Sequence, residues 1–209
     1  MQHNNSPIPD GGAPTRNRPF GLDLREPFTH LDGFAGHQQR RLSALRGQFA
    51  DEESYDRLVA GDPLVYEVYE MHRPKIAGEL LSGISIIHPG QVGDEFYMTK
   101  GHFHTVRATS EIYYCLHGRG YLLMQTEEGD WAAEEFYPGR VVYVPPHWAH
   151  RSVNTGKDDD LVTFFSYPAN AGHDYATIEQ RGFRKLIVSK NGSAVIVENP
   201  RWLAGDGGR

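Results

Sequence analysis

Three features that define common classes of protein are scarce in this chain of 209 residues. Cys115 is its single cysteine, which excludes a disulfide within the chain and fits a reducing compartment. Basic residues are outnumbered, with 21 Lys and Arg against 27 Asp and Glu, and this deficit argues against binding to nucleic acid. No apolar run approaches the roughly 20 residues that cross a bilayer, and the N-terminus lacks a secretory signal. These absences predict a soluble, cytoplasmic protein without a nucleic-acid or membrane partner.

The remaining composition divides the chain into three parts. Residues 1–19 are polar and carry almost no large apolar side chain, so we expect a flexible tail. Residues 20–62 are predicted to form an N-terminal extension with short helices over 40–49 and 51–59, because apolar residues recur there at helical spacing. Residues 63–202 are predicted to form a single β domain.

The β domain is predicted from short apolar runs that are separated by Gly, Pro, Asn and Asp. Many short strands at even spacing predict a sandwich or barrel. A late helix is predicted over 174–181, ended by Gly182, and Asn191-Gly192 predicts a hairpin turn. The predicted strands cover residues 64–71, 80–88, 95–99, 111–116, 121–126, 131–136, 141–144, 150–153, 161–167, 184–188 and 194–197.

Four side chains on three separate segments are of the kind that binds metal ions. His102 and His104 are two residues apart, so on a strand both point to the same face. Glu111 begins a second segment, and His150 begins a third after the turn-forming pair Pro145-Pro146. Imidazole nitrogen and carboxylate oxygen suit divalent metals such as Fe, Mn, Ni, Cu and Zn. A small β-barrel that brings the segments together would place these four side chains around one metal ion in its lumen.

Side-chain alternation along the second segment predicts which of its other residues face the lumen. Tyr113 lies two residues after Glu111, so both face the lumen of a regular strand, and Tyr114 faces the other side. Cys115 has no base at the spacing that a catalytic thiol requires, and we interpret it as a buried residue rather than a nucleophile.

The blocks around these residues resemble the two sequence motifs of the cupin superfamily. Residues 101–118 are similar to the first motif and residues 139–154 to the second. The sequence departs from the general pattern in two ways. His147 stands where glycine is usual, and the gap between His104 and Glu111 is longer.

Longer blocks resemble one narrower family, the cupin-type (archaeal-type) glucose-6-phosphate isomerases. The likeness extends over roughly residues 60–202, and it is carried by residues 99–104, 111–113, 142–151, 167–175 and 199–202. It implies a mainly β fold, a single cupin domain built as a jelly-roll-like β-barrel, with a few short helices on its N-terminal side and near 174–181. It also implies a homodimer.

The resemblance further implies a metal-dependent aldose–ketose isomerase that interconverts glucose 6-phosphate and fructose 6-phosphate in glycolysis and gluconeogenesis. One divalent ion per subunit, Fe²⁺ first with Mn²⁺, Ni²⁺ or Zn²⁺ as alternatives, would be held by His102, His104, Glu111 and His150. The positions that match the family's sugar-phosphate contacts are Tyr66, Ser85, Thr99, Gly101, Tyr113, Tyr167, His173 and Tyr175, with Lys100 as an added positive charge or a solvated lysine. Ser85 stands where the family commonly has Thr, and Tyr69 competes with Tyr66 for its role.

Two routes could move hydrogen between C1 and C2 of the sugar. We favour a cis-enediol intermediate with Glu111 as the base, assisted by Tyr113 or His173, over a direct hydride shift. A metal-bound carboxylate is a weakened base, so the hydride shift stays open. Use of mannose 6-phosphate is also open.

Two other functions suit the same four side chains. Another metal-dependent cupin enzyme, such as a dioxygenase, can use three His and one Glu. A non-enzymatic sugar-binding cupin is the second alternative. The hydroxyl groups of Ser85, Thr99 and the tyrosines favour a phosphorylated polyol and hence the isomerase.

Overall fold

The computed structural model describes residues 20–26, 28 and 36–202, and the tail predicted over 1–19 lies outside these residues. The chain divides into two compact units, residues 1–32 and 33–209, and every element named below belongs to the second unit. The boundary predicted between residues 62 and 63 stays a prediction. No helix among the described residues is long and apolar enough to span a membrane.

Short strands dominate the second unit, together with two short α-helices. The helices are α1 (Glu52–Leu58) and α2 (Ala176–Arg181), and the 3-10 turns are Leu42–Leu45 and Val59–Gly61. The strands are β1 (Gly36–Arg41), β2 (Leu64–Glu70), β3 (Leu80–Ile87), β4 (Gln91–Val92), β5 (Glu95–Phe96), β6 (Glu111–His117), β7 (Gly120–Gln125), β8 (Trp131–Phe136), β9 (Val141–Val144), β10 (Ala149–Asn154), β11 (Leu161–Pro168), β12 (Lys185–Lys190) and β13 (Ser193–Glu198).

The strands form three antiparallel sheets around one apolar core. Their orders are β1-β2-β3-β11-β6-β9, β10-β7-β8 and β13-β12-β5-β4. The buried cluster takes residues from all three, among them Tyr113, Leu123 and Ile187. The mainly β fold with a few short helices confirms the predicted fold class.

Strand β6 shows how the sequence pattern positions side chains. Glu111, Tyr113 and Cys115 are 3%, 7% and 0% exposed, whereas Ile112 and Tyr114 are 41% and 38% exposed. The predicted alternation is confirmed, with Glu111 and Tyr113 on the inner face. Burial raises the pKa of the Cys115 thiol to about 11, so it stays protonated at neutral pH.

The helix predicted over residues 40–49 is wrong. Gly36–Arg41 is extended and pairs with β2, and within residues 40–49 only Leu42–Leu45 forms a 3-10 turn. The apolar residues whose spacing predicted the helix, Leu42, Leu45 and Phe49, are indeed buried. Pairing with β2 overrides local helical spacing here, because alternate residues of β1 gain backbone hydrogen bonds to the neighbouring strand.

Other predicted elements are confirmed with shifted ends. The helix predicted over 51–59 is α1, and its N-cap Asp51 accepts a hydrogen bond from the Ser54 N–H at 2.9 Å. The Asn191-Gly192 hairpin joins β12 to β13, and both turn residues have positive φ. The strand predicted over 95–99 ends at Phe96, and β4 was not predicted.

Candidate metal centre and pocket

The four predicted metal-binding side chains meet because three segments lie side by side. His102 and His150 pair in an isolated antiparallel bridge, with the His150 N–H donating to the His102 carbonyl at 3.1 Å. Glu111 opens β6 and faces the same interior. One donor atom from each of His102, His104, Glu111 and His150 lies within 4.8 Å of the others. The structure thus brings the set together as predicted, while metal binding itself stays a prediction.

Neighbouring acceptors favour a hydrogen on Nδ1 of two imidazoles. Nδ1 of His104 lies 2.8 Å from Thr109 Oγ1 and 3.3 Å from the Thr109 carbonyl oxygen. The Thr109 hydroxyl donates its own hydrogen to the Val106 carbonyl at 2.6 Å, so Nδ1 of His104 carries the ring hydrogen. Nδ1 of His150 faces the Trp148 carbonyl oxygen at 3.5 Å. In the neutral rings, both Nε2 atoms then present lone pairs.

These lone pairs point at one carboxylate oxygen. Nε2 of His104 and Nε2 of His150 each lie 3.0 Å from Glu111 Oε2. Two electron-pair donors repel an anionic oxygen at this distance unless a proton or a metal ion lies between them. Within the described residues, the buried Nε2 atoms of His102 and His150 make no hydrogen bond, although buried nitrogens are nearly always paired. The donor set therefore fits a divalent first-row metal ion.

The charges around Glu111 keep the donors in the form that binds metals. Burial alone would raise the pKa of the Glu111 carboxyl, but the positive charge and hydrogen bonds of the His150 and His104 imidazoles, when these rings carry a proton on Nε2, lower the pKa to about 2. Burial, together with the nearby His150, His173 and His104, lowers the pKa of His102 well below 6.5. At neutral pH the site thus presents an ionised carboxylate and a neutral His102 imidazole.

An open cavity of about 790 Å³ lies against these side chains, a volume that includes its mouth. This size is typical of small-molecule sites. Besides His102, Glu111 and His150, it is lined by all the residues predicted to contact substrate: Tyr66, Ser85, Thr99, Lys100, Gly101, Tyr113, Tyr167, His173 and Tyr175. The structure brings them together, and their individual roles stay predictions.

Burial keeps the aromatic side chains of this cavity neutral. It lowers the pKa of His173, whose ring centroid lies 4.3 Å from that of His102, to about 4. It raises the pKa of Tyr175 to about 12 and the pKa values of Tyr113 and Tyr167 above their usual range. Near pH 7 the phenols are hydrogen-bond donors and His173 is an uncharged imidazole that can accept a proton.

The segment Thr99-Lys100-Gly101 forms one wall of the cavity. Thr99 Oγ1 accepts a hydrogen bond from the Ser152 N–H at 3.0 Å. Lys100 forms an ion pair with Glu179, so its charge is already compensated. Gly101 has φ +76°, and a Cβ there would lie 2.6 Å from the Phe183 ring. Only glycine therefore fits at this position of the cavity wall.

Three charged residues that no sequence pattern indicated line the same cavity: Arg40, Glu70 and Lys75. Arg40 was assigned to a helix that does not form. Residues 37–41 are all polar, so no alternation of apolar and polar side chains indicated which of them share one face of a strand. Lys75 lies in the loop between β2 and β3, where no local pattern indicates which way a side chain points.

Comparison with known proteins gives a consistent picture. The family model described as glucose-6-phosphate isomerase (GPI) matches residues 39–202. The chain is 46% identical over 185 residues to a glucose-6-phosphate isomerase of Thermococcus gammatolerans, an alignment that covers 88% of this chain and 97% of the relative. It is 46% identical over 187 residues to that of Pyrococcus furiosus, again with 88% of this chain and 97% of the relative covered.

A solved structure of oxalate decarboxylase from Bacillus subtilis is a more distant neighbour. It aligns with a TM-score of 0.42 and 22% identity over 52% of this chain and 26% of that one. A likeness at this level assigns no function. The family match and the relatives that are 46% identical do assign a function, because each match extends over most of the chain. The chain therefore belongs to the glucose-6-phosphate isomerase family, which confirms the family and the isomerase activity that the sequence predicts.

Proposed function

We propose that this isomerase interconverts glucose 6-phosphate and fructose 6-phosphate in the cavity beside Glu111, with one divalent metal ion bound by its three histidines and Glu111. The observation that carries the proposal is the meeting of His102, His104, Glu111 and His150 at a cavity lined by hydroxyl groups. Membership of the isomerase family favours this activity over the dioxygenase and the sugar-binding alternatives.

His102, His104 and His150 would hold the metal through ring nitrogens, and Glu111 through a carboxylate oxygen. When bound, a divalent ion acts as a Lewis acid that polarises a sugar carbonyl and so acidifies the neighbouring C–H bond. Metal binding would require all three histidines as neutral rings, because an imidazolium would repel the cation.

Glu111 is the proposed base of a cis-enediol route. It takes the proton from C2 of the open-chain aldose and returns it at C1, while a second proton moves from O2 to O1. A carboxylate that also binds a metal ion is a weakened base, so Glu111 needs an acidified C–H bond. Neutral His173 can accept and release the second proton, and Tyr113, which keeps its phenol hydrogen, can donate a hydrogen bond to the reacting oxygens.

The phosphate group is proposed to lie against Ser85, Thr99 and the backbone N–H of Gly101. Hydroxyls and N–H groups are the donors that phosphate oxygens accept from. Ser85 Oγ supports this assignment, because it is buried without a hydrogen-bond partner in the described part of the chain.

A coupled assay on fructose 6-phosphate tests the activity, with glucose 6-phosphate detected by its dehydrogenase. We expect turnover that a chelator abolishes and a divalent metal restores. Quenched samples without the coupling enzyme control for chelator effects on that enzyme. Mannose 6-phosphate is tested alongside. Absence of turnover with every divalent metal would reject the proposal.

Reaction in D₂O distinguishes the two hydrogen-transfer routes. The cis-enediol route passes the hydrogen through Glu111 and should place solvent deuterium at C1 of fructose 6-phosphate, measured by NMR. A substrate deuterated at C2 that keeps all its label at C1 would show a hydride shift instead.

Finer assignments follow from the family resemblance. We propose Fe²⁺ as the native metal, with Mn²⁺, Ni²⁺ and Zn²⁺ as alternatives, a homodimeric assembly, and a cytoplasmic role in glycolysis and gluconeogenesis. Elemental analysis of protein purified without added metal tests the first point. Light scattering after size-exclusion chromatography tests the second, since a monomeric mass would contradict a dimer.

A further inference from the structure

Arg40 reaches the cavity from the edge strand β1. It pairs with Tyr66 across β1 and β2, and its guanidinium hydrogen-bonds the Tyr66 hydroxyl. The same hydroxyl is hydrogen-bonded by the backbone of Lys100. Arg40 therefore lies beside the segment Thr99-Lys100-Gly101, and its side chain lines the cavity.

The other two cations of the cavity already have acidic neighbours. Lys100 forms an ion pair with Glu179. Lys75 lies close enough to Glu70 to lower the pKa of that carboxyl, against the larger opposite effect of burial. Neither lysine is therefore a fully available charge for an incoming anion.

Arg40, by contrast, contacts neutral groups only among the residues that the structure describes. Its guanidinium donates to Gln38 Oε1 at 3.0 Å and to the Gln39 carbonyl at 3.4 Å. Across residues 20–26, 28 and 36–202 it makes no ion pair with a carboxylate. Arg40 is half-buried as a residue, and a guanidinium that bonds only to neutral acceptors keeps its charge available for an anion.

A buried hydroxyl faces the same cavity across the sheet. Ser85 is 4% exposed, and its Oγ has no hydrogen-bond partner among the described residues. Ser85 is opposite Val68, two residues from the Tyr66 that is opposite Arg40, so both side chains share one face of the sheet. Strand spacings put their Cα atoms roughly 12 Å apart, a gap that an arginine side chain and one phosphate group bridge.

We propose that Arg40 binds the phosphate group of the substrate, opposite the Ser85 hydroxyl, and thereby sets the preference for phosphorylated over free sugars. This inference rests on the proposed function, which brings a dianionic phosphate into the cavity. The chain carries a net charge of −6, and Glu70 and Glu111 both line the cavity, so a dianion needs a compensating cation. A planar guanidinium donates two parallel hydrogen bonds to phosphate.

The test compares Arg40→Gln with Arg41→Gln in the metal-loaded, full-length protein. Arg41 is a matched control, because it is the adjacent residue of β1 with the same charge, and its guanidinium donates to the Asp62 carbonyl at 2.9 Å, outside the cavity. Calorimetric affinities are measured for 6-phosphogluconate and for gluconate, which differ only in the phosphate. Kinetic constants are measured for fructose 6-phosphate.

We expect Arg40→Gln to weaken 6-phosphogluconate binding and to raise KM by about 10- to 100-fold, as the loss of a charge-assisted hydrogen bond predicts. Gluconate affinity and kcat should stay nearly unchanged, Arg40→Lys should be intermediate, and Arg41→Gln should match the unmodified protein. Partial unfolding would lower the apparent affinity for both ligands alike, so the ratio of the two affinities isolates the phosphate contact.

Equal affinity ratios for Arg40→Gln and Arg41→Gln would overturn the assignment of Arg40. This outcome is distinct from failure of the proposed function. If the unmodified protein binds 6-phosphogluconate through Arg40 but does not isomerise fructose 6-phosphate, the phosphate site stands and the isomerase proposal falls.

Discussion

Thr109 offers a sharp test of how the metal centre is built, because it orients a metal-binding residue without touching the metal. Its hydroxyl accepts from His104 Nδ1 at 2.8 Å and donates to the Val106 carbonyl at 2.6 Å. The first bond holds the His104 ring and keeps the lone pair on Nε2, toward Glu111. Thr109→Val removes the hydroxyl and preserves the shape of the side chain.

Hydrogen bonds of this kind are worth about 10- to 100-fold in metal affinity, or about 1.4 to 2.7 kcal/mol. The Thr109 carbonyl oxygen remains 3.3 Å from His104 Nδ1 and can take over part of the role. We therefore expect the low end, a loss of roughly tenfold. The lost bond to Val106 should also lower the free energy of unfolding by about 1 kcal/mol.

Metal affinity is measured by competition with a chromophoric chelator, and activity is measured against free metal concentration. Saturating metal should restore most of kcat in Thr109→Val, because the donors themselves are intact. Thr109→Ser keeps the hydroxyl and should bind metal as the unmodified protein does. An affinity for Thr109→Val within a factor of about two of the unmodified protein would refute the argument. Equal losses in the serine and valine variants would trace the effect to packing instead.

Three further predictions concern other residues. His150→Ala should lose its metal content, measured by elemental analysis, together with more than ~100-fold of the activity in the coupled assay. Its circular dichroism spectrum should stay native. Retained metal and a full rate would contradict the proposed donor set. Cys115, with a pKa of about 11, should resist iodoacetamide at pH 7.5 in the native protein, because roughly fewer than one thiol in a thousand is ionised. Rapid labelling of Cys115, measured by mass spectrometry, would show that it is not buried. His88 has a raised pKa, chiefly because of its hydrogen bond to Asp160 at 2.9 Å. The charged form of His88 therefore stabilises the fold at pH values below the unfolded-state pKa. This stabilisation is lost as pH rises through the folded-state pKa. The stability difference between His88→Gln and the unmodified protein in denaturant titrations should therefore be larger at pH 5.5 than at pH 9, and no change with pH would contradict the pairing.

Much of the β architecture could be predicted because its causes are local. The alternation of Glu111, Tyr113 and Cys115 with exposed neighbours determines which face of β6 is buried. The Asn191-Gly192 pair favours the positive φ angles of a tight hairpin, and the turn forms there.

The helix predicted over residues 40–49 shows where local signals end. The spacing of Leu42, Leu45 and Phe49 is compatible with a helix, but the residues before Leu42 pair with a strand that follows later in the chain. Such long-range pairing leaves no mark on the local pattern. Because residues 40–49 were predicted to form a helix, Arg40 was not identified as a residue of the cavity.

The sequence alone determined which atoms could bind a metal and in which order the motif blocks occur, because ligand chemistry belongs to the side chains themselves. It also determined the family. Only the tertiary structure decided how these groups act on one another. It paired Lys100 with Glu179 and left Arg40 without a carboxylate partner in the described part of the chain. It also set Thr109 against His104, which directs the Nε2 lone pair toward Glu111. These outcomes depend on distances between segments far apart in the chain, and such distances exist only once the sheets have packed.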